Sequence, residues 1–319
     1  MENTQQTAVG SSSQRPSVGA FILGSSFILI ATIFWGVNIT VVKALIPKYM
    51  TADSITVSRL IGGAALFWIV SLFVKTEKIA RNDWWRLIVG GAVGLFAFIY
   101  LLNLSMKFAN PIDVSIIMTL PPAFVILIGV MFQHRRPGAL EYIGVAVGFI
   151  GALVVIIYGN GSGAKGSNEL LGDLIALASA VCYSIYLVIT ERPSHTYHPV
   201  SMLRWTFLFA SIPALFLLGS FNHIGLFHTA DSTPWIEIGF IVLGPSFLAY
   251  FFLSGALKRI GSELVSLYQY LLPVFATIAA VIMGLGHVKF IQVIAMLLIV
   301  AGMALTNIGK RKRTKNVKK

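Results

Sequence analysis

A chain of 319 residues that is 56% hydrophobic and only 11% charged, with mean hydropathy +0.82, has too little polar surface to cover a water-soluble body, whose charged share is roughly 25%. The net charge of +12 does not point to nucleic acid, because seven of the 24 basic residues lie between Lys310 and Lys319, past the last apolar run, where a basic tail meets anionic lipid. The single cysteine, Cys182, excludes an intrachain disulfide.

Residues 1–20 are polar and rich in Ser and Gln, and they read as a disordered tail. They do not read as a signal peptide, since the apolar run that follows is too long and no A-x-A site closes it. Ten apolar runs follow, at 21–45, 53–74, 84–106, 111–132, 139–158, 170–190, 200–220, 235–257, 262–283 and 289–308. Each is about the ~20 residues that cross a hydrocarbon core. They are continuous and lack period-2 alternation, so they predict helices and not barrel strands. The predicted class is an all-α integral membrane protein with ten transmembrane helices, closed by a basic tail at 309–319.

The runs repeat. An ungapped shift of 151 positions carries Lys107 onto Lys258, Ser115 onto Ser266, Pro122 onto Pro273, Phe124 onto Phe275 and Gly151 onto Gly302. This divides the chain into 21–158 and 170–308, five spans in each. Five is odd, so the second half enters the membrane from the opposite side, giving an inverted repeat of five plus five. Secondary transporters recurrently use that plan, with the site near the midplane between the halves. With the amino terminus inside, 17 Lys and Arg fall on the cytoplasmic side and 5 on the outer side, which predicts both termini in the cytoplasm.

The polar residues inside the runs are the functional candidates. Trp35 and Asn38 lie near the middle of span 1; Tyr183 and Tyr186 lie at comparable depth in span 6. For Asn38, a helix–helix hydrogen bond and a cargo contact stand as equal readings. With Tyr100, Asn103, Thr119, Tyr250, Tyr268 and Gln269 they make the predicted lining of the site: aromatic faces and neutral polar groups, with no fixed charge at mid-depth. Arg59 and Arg204 lie inside spans 2 and 7, where a guanidinium must face protein or water or snorkel outward. Arg59 is assigned to the transport path or its outer gate; for Arg204, snorkelling is the easier reading. Asp113 and Glu263 open spans 4 and 9, positions that suit a helix start first, with a gate as the alternative. Lys43, Arg59, Lys107 and Asp113 would collect at an outer mouth, and Glu191, Arg204, Lys258 and Glu263 at an inner one. Pro122 and Pro273 are the expected helix bends. Gly90/Gly94 and Gly144/Gly148, spaced as GxxxG, predict close helix packing.

His195 and His198 lack a third ligand, so no metal site is expected. No phosphate-binding glycine loop or catalytic cluster is apparent. The expected cofactor set is therefore empty, and enzymatic activity is not expected. The expected partners are a small-molecule solute and the lipid bilayer, without nucleic acid, with a homodimer left open.

Phe34-Trp35-Gly36-Val37-Asn38-Ile39-Thr40-Val41-Val42-Lys43, Ser58-Arg59-Leu60, the paired Lys107/Lys258 with Pro122/Pro273 about 15 residues on, and Gly151/Gly302 together resemble the EamA-type drug/metabolite transporter family over residues 21–308. The resemblance implies ten helices, both termini cytoplasmic in a bacterial inner membrane, and movement of small organic solutes, often the export of amino acids or related metabolites. One departure is that the family often carries Gly-Glu after the fourth and ninth helices. Here Gln133-His134 and Gly286-His287 stand instead, which leaves the role of that glutamate, and whether His134 and His287 replace it, open. The rival readings are a nucleotide-sugar or lipid-linked sugar carrier of the same fold and a non-transporting membrane protein. Without a mid-span carboxylate, exchange or facilitated movement is expected in place of proton coupling.

Overall fold

The computed structural model describes residues 18–133, 138–158, 169–223 and 225–317. Most of the amino-terminal tail expected at 1–20, His134 and the side chain of Glu263 lie outside the described residues. Among the described residues the chain is all-helical, without a strand. Seven helices are long and apolar enough to cross a membrane, and three shorter apolar ones, Ala139–Val154, Gln269–Ile282 and Phe290–Thr306, accompany them. Large apolar side chains such as Phe73, Phe216, Ile282 and Phe290 stay exposed on the outside, as expected where the solvent is hydrocarbon. The chain is a multi-pass membrane protein.

Helix α1 (Val18–Leu45) leads through a short turn to α2 (Ala52–Ser71). The Thr51 hydroxyl accepts from Ser54 N at 3.1 Å and caps α2. Helix α3 (Arg81–Ser105) follows. The fourth run is two helices, α4 (Pro111–Ile117) and α5 (Pro121–Gln133). Asn110 caps α4 by accepting from Ile112 N at 2.9 Å, with Pro111 in the first turn. The helix stops before Pro121-Pro122 because two successive residues lack an N–H for the preceding carbonyls. After α6 (Ala139–Tyr158) come α7 (Glu169–Thr196) and α8 (Pro199–Ala214). Then α9 (Thr233–Ile241), α10 (Ala249–Tyr268), α11 (Leu272–Ile282) and α12 (Phe290–Val317) complete the chain. At Pro273 the interruption is milder than at Pro121-Pro122, a single 3-10 turn at Gln269–Leu271, as one proline removes fewer donors than two.

One expectation about a connection fails. The link expected at 258–261 is helical, inside α10, since Lys258-Arg259-Ile260 are ordinary helix formers and no proline intervenes. The course still reverses: along α1, Trp35 bonds Pro245, Phe27 meets Phe252 and Gly24 meets Ile260, whereas Gly36 then meets Leu272 and Ala276. The chain therefore turns back along α1 between Ile260 and Leu272. The basic tail expected at 309–319 is also helical as far as Val317, continuous with α12.

Two π-helical stretches, Gly90–Leu95 within α3 and Val242–Leu248 between α9 and α10, were not foreseen from the residues. In the second, Pro245 cannot donate toward Ile241 O, and the Ser246 hydroxyl donates to that carbonyl at 2.8 Å. Glycines set the closest helix approaches. A Cβ on Gly302 would lie 2.5 Å from Gly144 O and 2.5 Å from Gly148 N; one on Gly151 would lie 2.9 Å from Ala295 O and 3.0 Å from Ile299 N. These contacts, which join α6 to α12, exchange under the 151-residue shift. Of the expected GxxxG contacts, Gly94 packs on Tyr186 and Gly144 on Gly302, whereas a Cβ on Gly148 would meet nothing within 4 Å.

Candidate functional site

A cavity opens between α1, α2, α3, α7 and the α10–α11 junction. Its polar and aromatic lining is Trp35, Asn38, Arg59, Tyr183 and Gln269; Phe98, Ile39, Leu102, Met118 and Leu272 supply the apolar wall. The structure thus brings together four of the expected lining residues, Trp35, Asn38, Tyr183 and Gln269. It adds Arg59, which the sequence reading set apart at an outer gate.

Each polar side chain is held by a specific local feature. Trp35 donates from Nε1 to Pro245 O at 3.1 Å, a carbonyl in the π stretch. Its ring meets Tyr250 edge-on at 5.5 Å and Tyr183 at 6.5 Å. Tyr183 packs on Phe98 at 4.6 Å and stacks on Tyr186 at 6.1 Å, which in turn meets Tyr250 edge-on. Gln269, in the 3-10 turn before Pro273, donates from Nε2 to Tyr183 Oη at 3.3 Å. Asn38 Oδ1 is buried and has no hydrogen-bond partner, so this carboxamide is not the helix–helix tie that was one of its two readings.

Arg59 is 1% exposed. Its Nε donates to Ser246 Oγ at 3.2 Å and its Nη1 to Asn103 Oδ1 at 3.4 Å, while Asn103 Nδ2 donates to Thr56 Oγ1 at 2.9 Å. The π stretch therefore serves two lining residues, presenting the Pro245 carbonyl to Trp35 and the Ser246 hydroxyl to Arg59. Of the cavity's lining residues Arg59 alone is charged. The expectation of a lining without fixed charge is corrected: α2 places the guanidinium in the wall, because Ser246 and Asn103 offer it buried acceptors.

The other expected lining residues stand elsewhere. Asn103 supports Arg59 from behind, and Tyr186 and Tyr250 form the aromatic layer beneath Trp35 and Tyr183. Thr119 turns its hydroxyl onto Ile116 O at 2.7 Å, in the break between α4 and α5. Tyr100 stacks on Phe96 at 5.8 Å and is half-exposed; Tyr268 is half-buried against the core. The bends at Pro122 and Pro273 border the cavity through Met118, Gln269 and Leu272. Carbonyls beside the bends also take bonds from other helices, as Ser184 Oγ donates to Pro121 O at 3.1 Å and Thr40 Oγ1 to Ala276 O at 3.0 Å.

At the expected outer mouth, Lys43 Nζ donates to Met106 O at 2.7 Å and Ala109 O at 2.9 Å, and Lys107 is exposed beside Phe108. Asp113, 2% exposed, accepts from Gln292 Nε2 at 2.7 Å. No ion pair joins any two of Lys43, Arg59, Lys107 and Asp113. Asp173, absent from the sequence reading, is 1% exposed with both carboxylate oxygens unpartnered. On the other side Arg204 lies over the rings of Trp68 at 5.1 Å and Trp205 at 5.5 Å, a cation–π belt. Glu191 is half-buried and Lys258 exposed. The polar tie on this side is one the sequence did not suggest. Asp83 accepts from Tyr197 Oη at 2.8 Å and pairs with Arg86 at 3.6 Å and Arg192 at 3.5 Å, joining the start of α3 to the end of α7 and the α7–α8 connection. Among the described residues no group of three His, Cys, Asp or Glu could hold a metal ion.

Comparison with known proteins agrees with this architecture. The model of the EamA-like transporter family matches residues 22–157 and again residues 170–308. The chain is 26% identical to the uncharacterized transporter YyaM of Bacillus subtilis over 278 residues, 85% of this chain and 89% of that one. It is 25% identical to the aromatic amino acid exporter YddG of Ancylobacter novellus over 273 residues, 84% of this chain and 90% of that one. A crystal structure at 22% identity superposes with TM-score 0.59, covering 91% of this chain and 98% of the other, and bears on the fold alone.

Proposed function

This chain belongs to the EamA-like transporter family, and on that premise we propose that it is a secondary transporter that exports amino acids or similar small organic metabolites by alternating access. In this reading all ten apolar segments cross the membrane as an inverted repeat of 21–158 and 170–308, with both termini in the cytoplasm of a bacterial inner membrane. The observation that carries it is the cavity, whose walls come from both halves: Trp35, Asn38, Arg59 and Phe98 from the first, Tyr183 and Gln269 from the second. A site shared by two inverted halves opens to alternate sides when one half rocks against the other.

Three pairs of features support the inverted repeat. The contacts of Gly302 and Gly151 exchange under the 151-residue shift, and Pro121 and Leu272, also 151 apart, turn their carbonyls to Ser184 and Gly36, which are 148 apart. The π stretches at Gly90–Leu95 and Val242–Leu248 also nearly coincide under it. The cargo class follows from the lining, which offers aromatic faces, one carboxamide on each side and one cation. Such a wall suits a small solute with an apolar body, and an exporter of aromatic amino acids among the relatives is consistent with it. A sugar nucleotide would need more basic groups than Arg59.

The test is efflux of labelled amino acids from proteoliposomes holding the full chain, paired with resistance of cells to toxic amino-acid analogues. Protection and efflux are expected. Protection against none of them, together with tight binding of nucleotide sugars, would replace the cargo class. Absence of flux for every solute would remove the transporter reading.

A further inference from the structure

We propose that Arg59 is the carboxylate-binding residue of this cavity, so that the cargo carries one carboxylate and an apolar body, and analogues without a carboxylate are excluded. The proposal deepens the transporter reading and depends on it for the word cargo, though not for the binding site.

A guanidinium stays protonated in proteins, so Arg59 brings a permanent positive charge into a place where it is 1% exposed. A buried charge is tolerated when it is paired. Arg59 is not: Ser246 and Asn103, the partners of its Nε and Nη1, are neutral, and no carboxylate lies within ion-pair distance among the described residues. The contact to Asn103 is also long, at 3.4 Å. Five N–H donors meet two acceptors, and the rest of the fork is left to the cavity that Arg59 lines. The planar fork matches a carboxylate with two parallel bonds.

The rest of the lining says what else the ligand carries. Phe98, Leu102, Met118 and the faces of Trp35 and Tyr183 suit an apolar or aromatic body. A cavity whose one charge is positive repels a ligand whose only charge is an amine. Two or more negative charges would exceed what a single cation can neutralise. Asn38, whose Oδ1 has no partner in the protein, remains for a neutral or amino substituent near the acid group.

The experiment uses the full chain, purified, with four probes of similar size: 3-phenylpropionate, L-phenylalanine, L-phenylalaninamide and 2-phenylethylamine. Thermal stabilisation gives apparent affinities for the wild type, Arg59→Lys and Arg59→Gln. The two carboxylates should stabilise the wild type, and the amide and amine should not. Arg59→Gln should weaken carboxylate binding roughly 30-fold or more, the range seen when one member of a buried charge pair is truncated. Arg59→Lys keeps the charge without the fork; it should bind carboxylates more weakly than wild type and still reject the amine, and it decides the matter if Arg59→Gln does not fold. Amide or amine binding as tight as the acids, undiminished carboxylate binding in Arg59→Gln, or no stabilisation by any probe overturns the proposal. If the acids fail while labelled neutral or cationic solutes cross wild-type proteoliposomes, this inference falls and the transporter reading stands. Arg59-dependent binding of the acids without flux of any solute has the opposite meaning.

Discussion

Replacing Gly302 by alanine tests the helix contact and the internal symmetry together. The added Cβ would lie 2.5 Å from Gly144 O and 2.5 Å from Gly148 N, against the ~3.5 Å at which such atoms settle. Both are backbone atoms of α6, so no rotamer change relieves the clash. Helices α6 and α12 must separate by about 1 Å, and a gap of that size forfeits roughly a quarter to a half of each dispersion contact across it. Overpacking of this kind costs about 1–3 kcal/mol. At ~2–4 °C per kcal/mol, the unfolding temperature should fall by about 2–12 °C. Gly151→Ala should act in the same direction, because its Cβ meets Ala295 O at 2.9 Å and Ile299 N at 3.0 Å. Gly148→Ala is the control: nothing lies within 4 Å of its added methyl, so the higher helix propensity of alanine, ~1 kcal/mol, should leave the temperature unchanged or raised. The assay is thermal unfolding of the purified proteins in one detergent at one heating rate. A Gly302→Ala protein as stable as wild type, or a Gly148→Ala protein that drops as far, would refute the packing argument. Equal stability of Gly151→Ala and wild type would count against the two-fold relation.

Asp83→Asn should lower stability by about 1.5–3 kcal/mol, the range for hydrogen bonds to charged groups, because it weakens the ties to Tyr197, Arg86 and Arg192; Tyr197→Phe should reproduce part of the loss, and two variants as stable as wild type would make the tie incidental. Asn38→Ala removes an Oδ1 that has no protein partner, so the unfolding temperature should hold while efflux and resistance to toxic analogues fall; a proportional loss of folded protein and flux would make the residue structural. Trp35→Phe keeps a ring against Tyr250 but removes the bond to Pro245 O, and should cost only about 0.5–1.5 kcal/mol, whereas Trp35→Ala should abolish protection against the analogues. Reporter tags at residues 5 and 315 should both be cytoplasmic, given the 17-to-5 distribution of Lys and Arg; either tag outside would invert the assignment of every gate.

The sequence by itself determined the class of the molecule, because a long chain with so little charge has no aqueous fold open to it. It also placed nearly every helix, since span length and proline position are local properties: the break before Pro121-Pro122 and the turn before Pro273 are both where the missing N–H groups put them. The shift that pairs Gly151 with Gly302 was visible as text, and so were Trp35, Asn38, Tyr183 and Gln269 as polar or aromatic residues at depth. Only the tertiary structure decided which of these meet. Depth along a helix does not say which way a side chain faces, so Tyr100 and Thr119 were indistinguishable from true lining residues until α3 and α4 were packed. The π stretch at Val242–Leu248 depends on where helices converge, and it is what brings Ser246 to Arg59 and the Pro245 carbonyl to Trp35. Arg59 looked peripheral when counted in turns from a span's end. Its neighbours Ser246 and Asn103 lie 187 and 44 residues away in sequence, and pairings at that range exist only once the chain has folded. The same distance hid Asp83, whose partners Arg192 and Tyr197 lie in the other half.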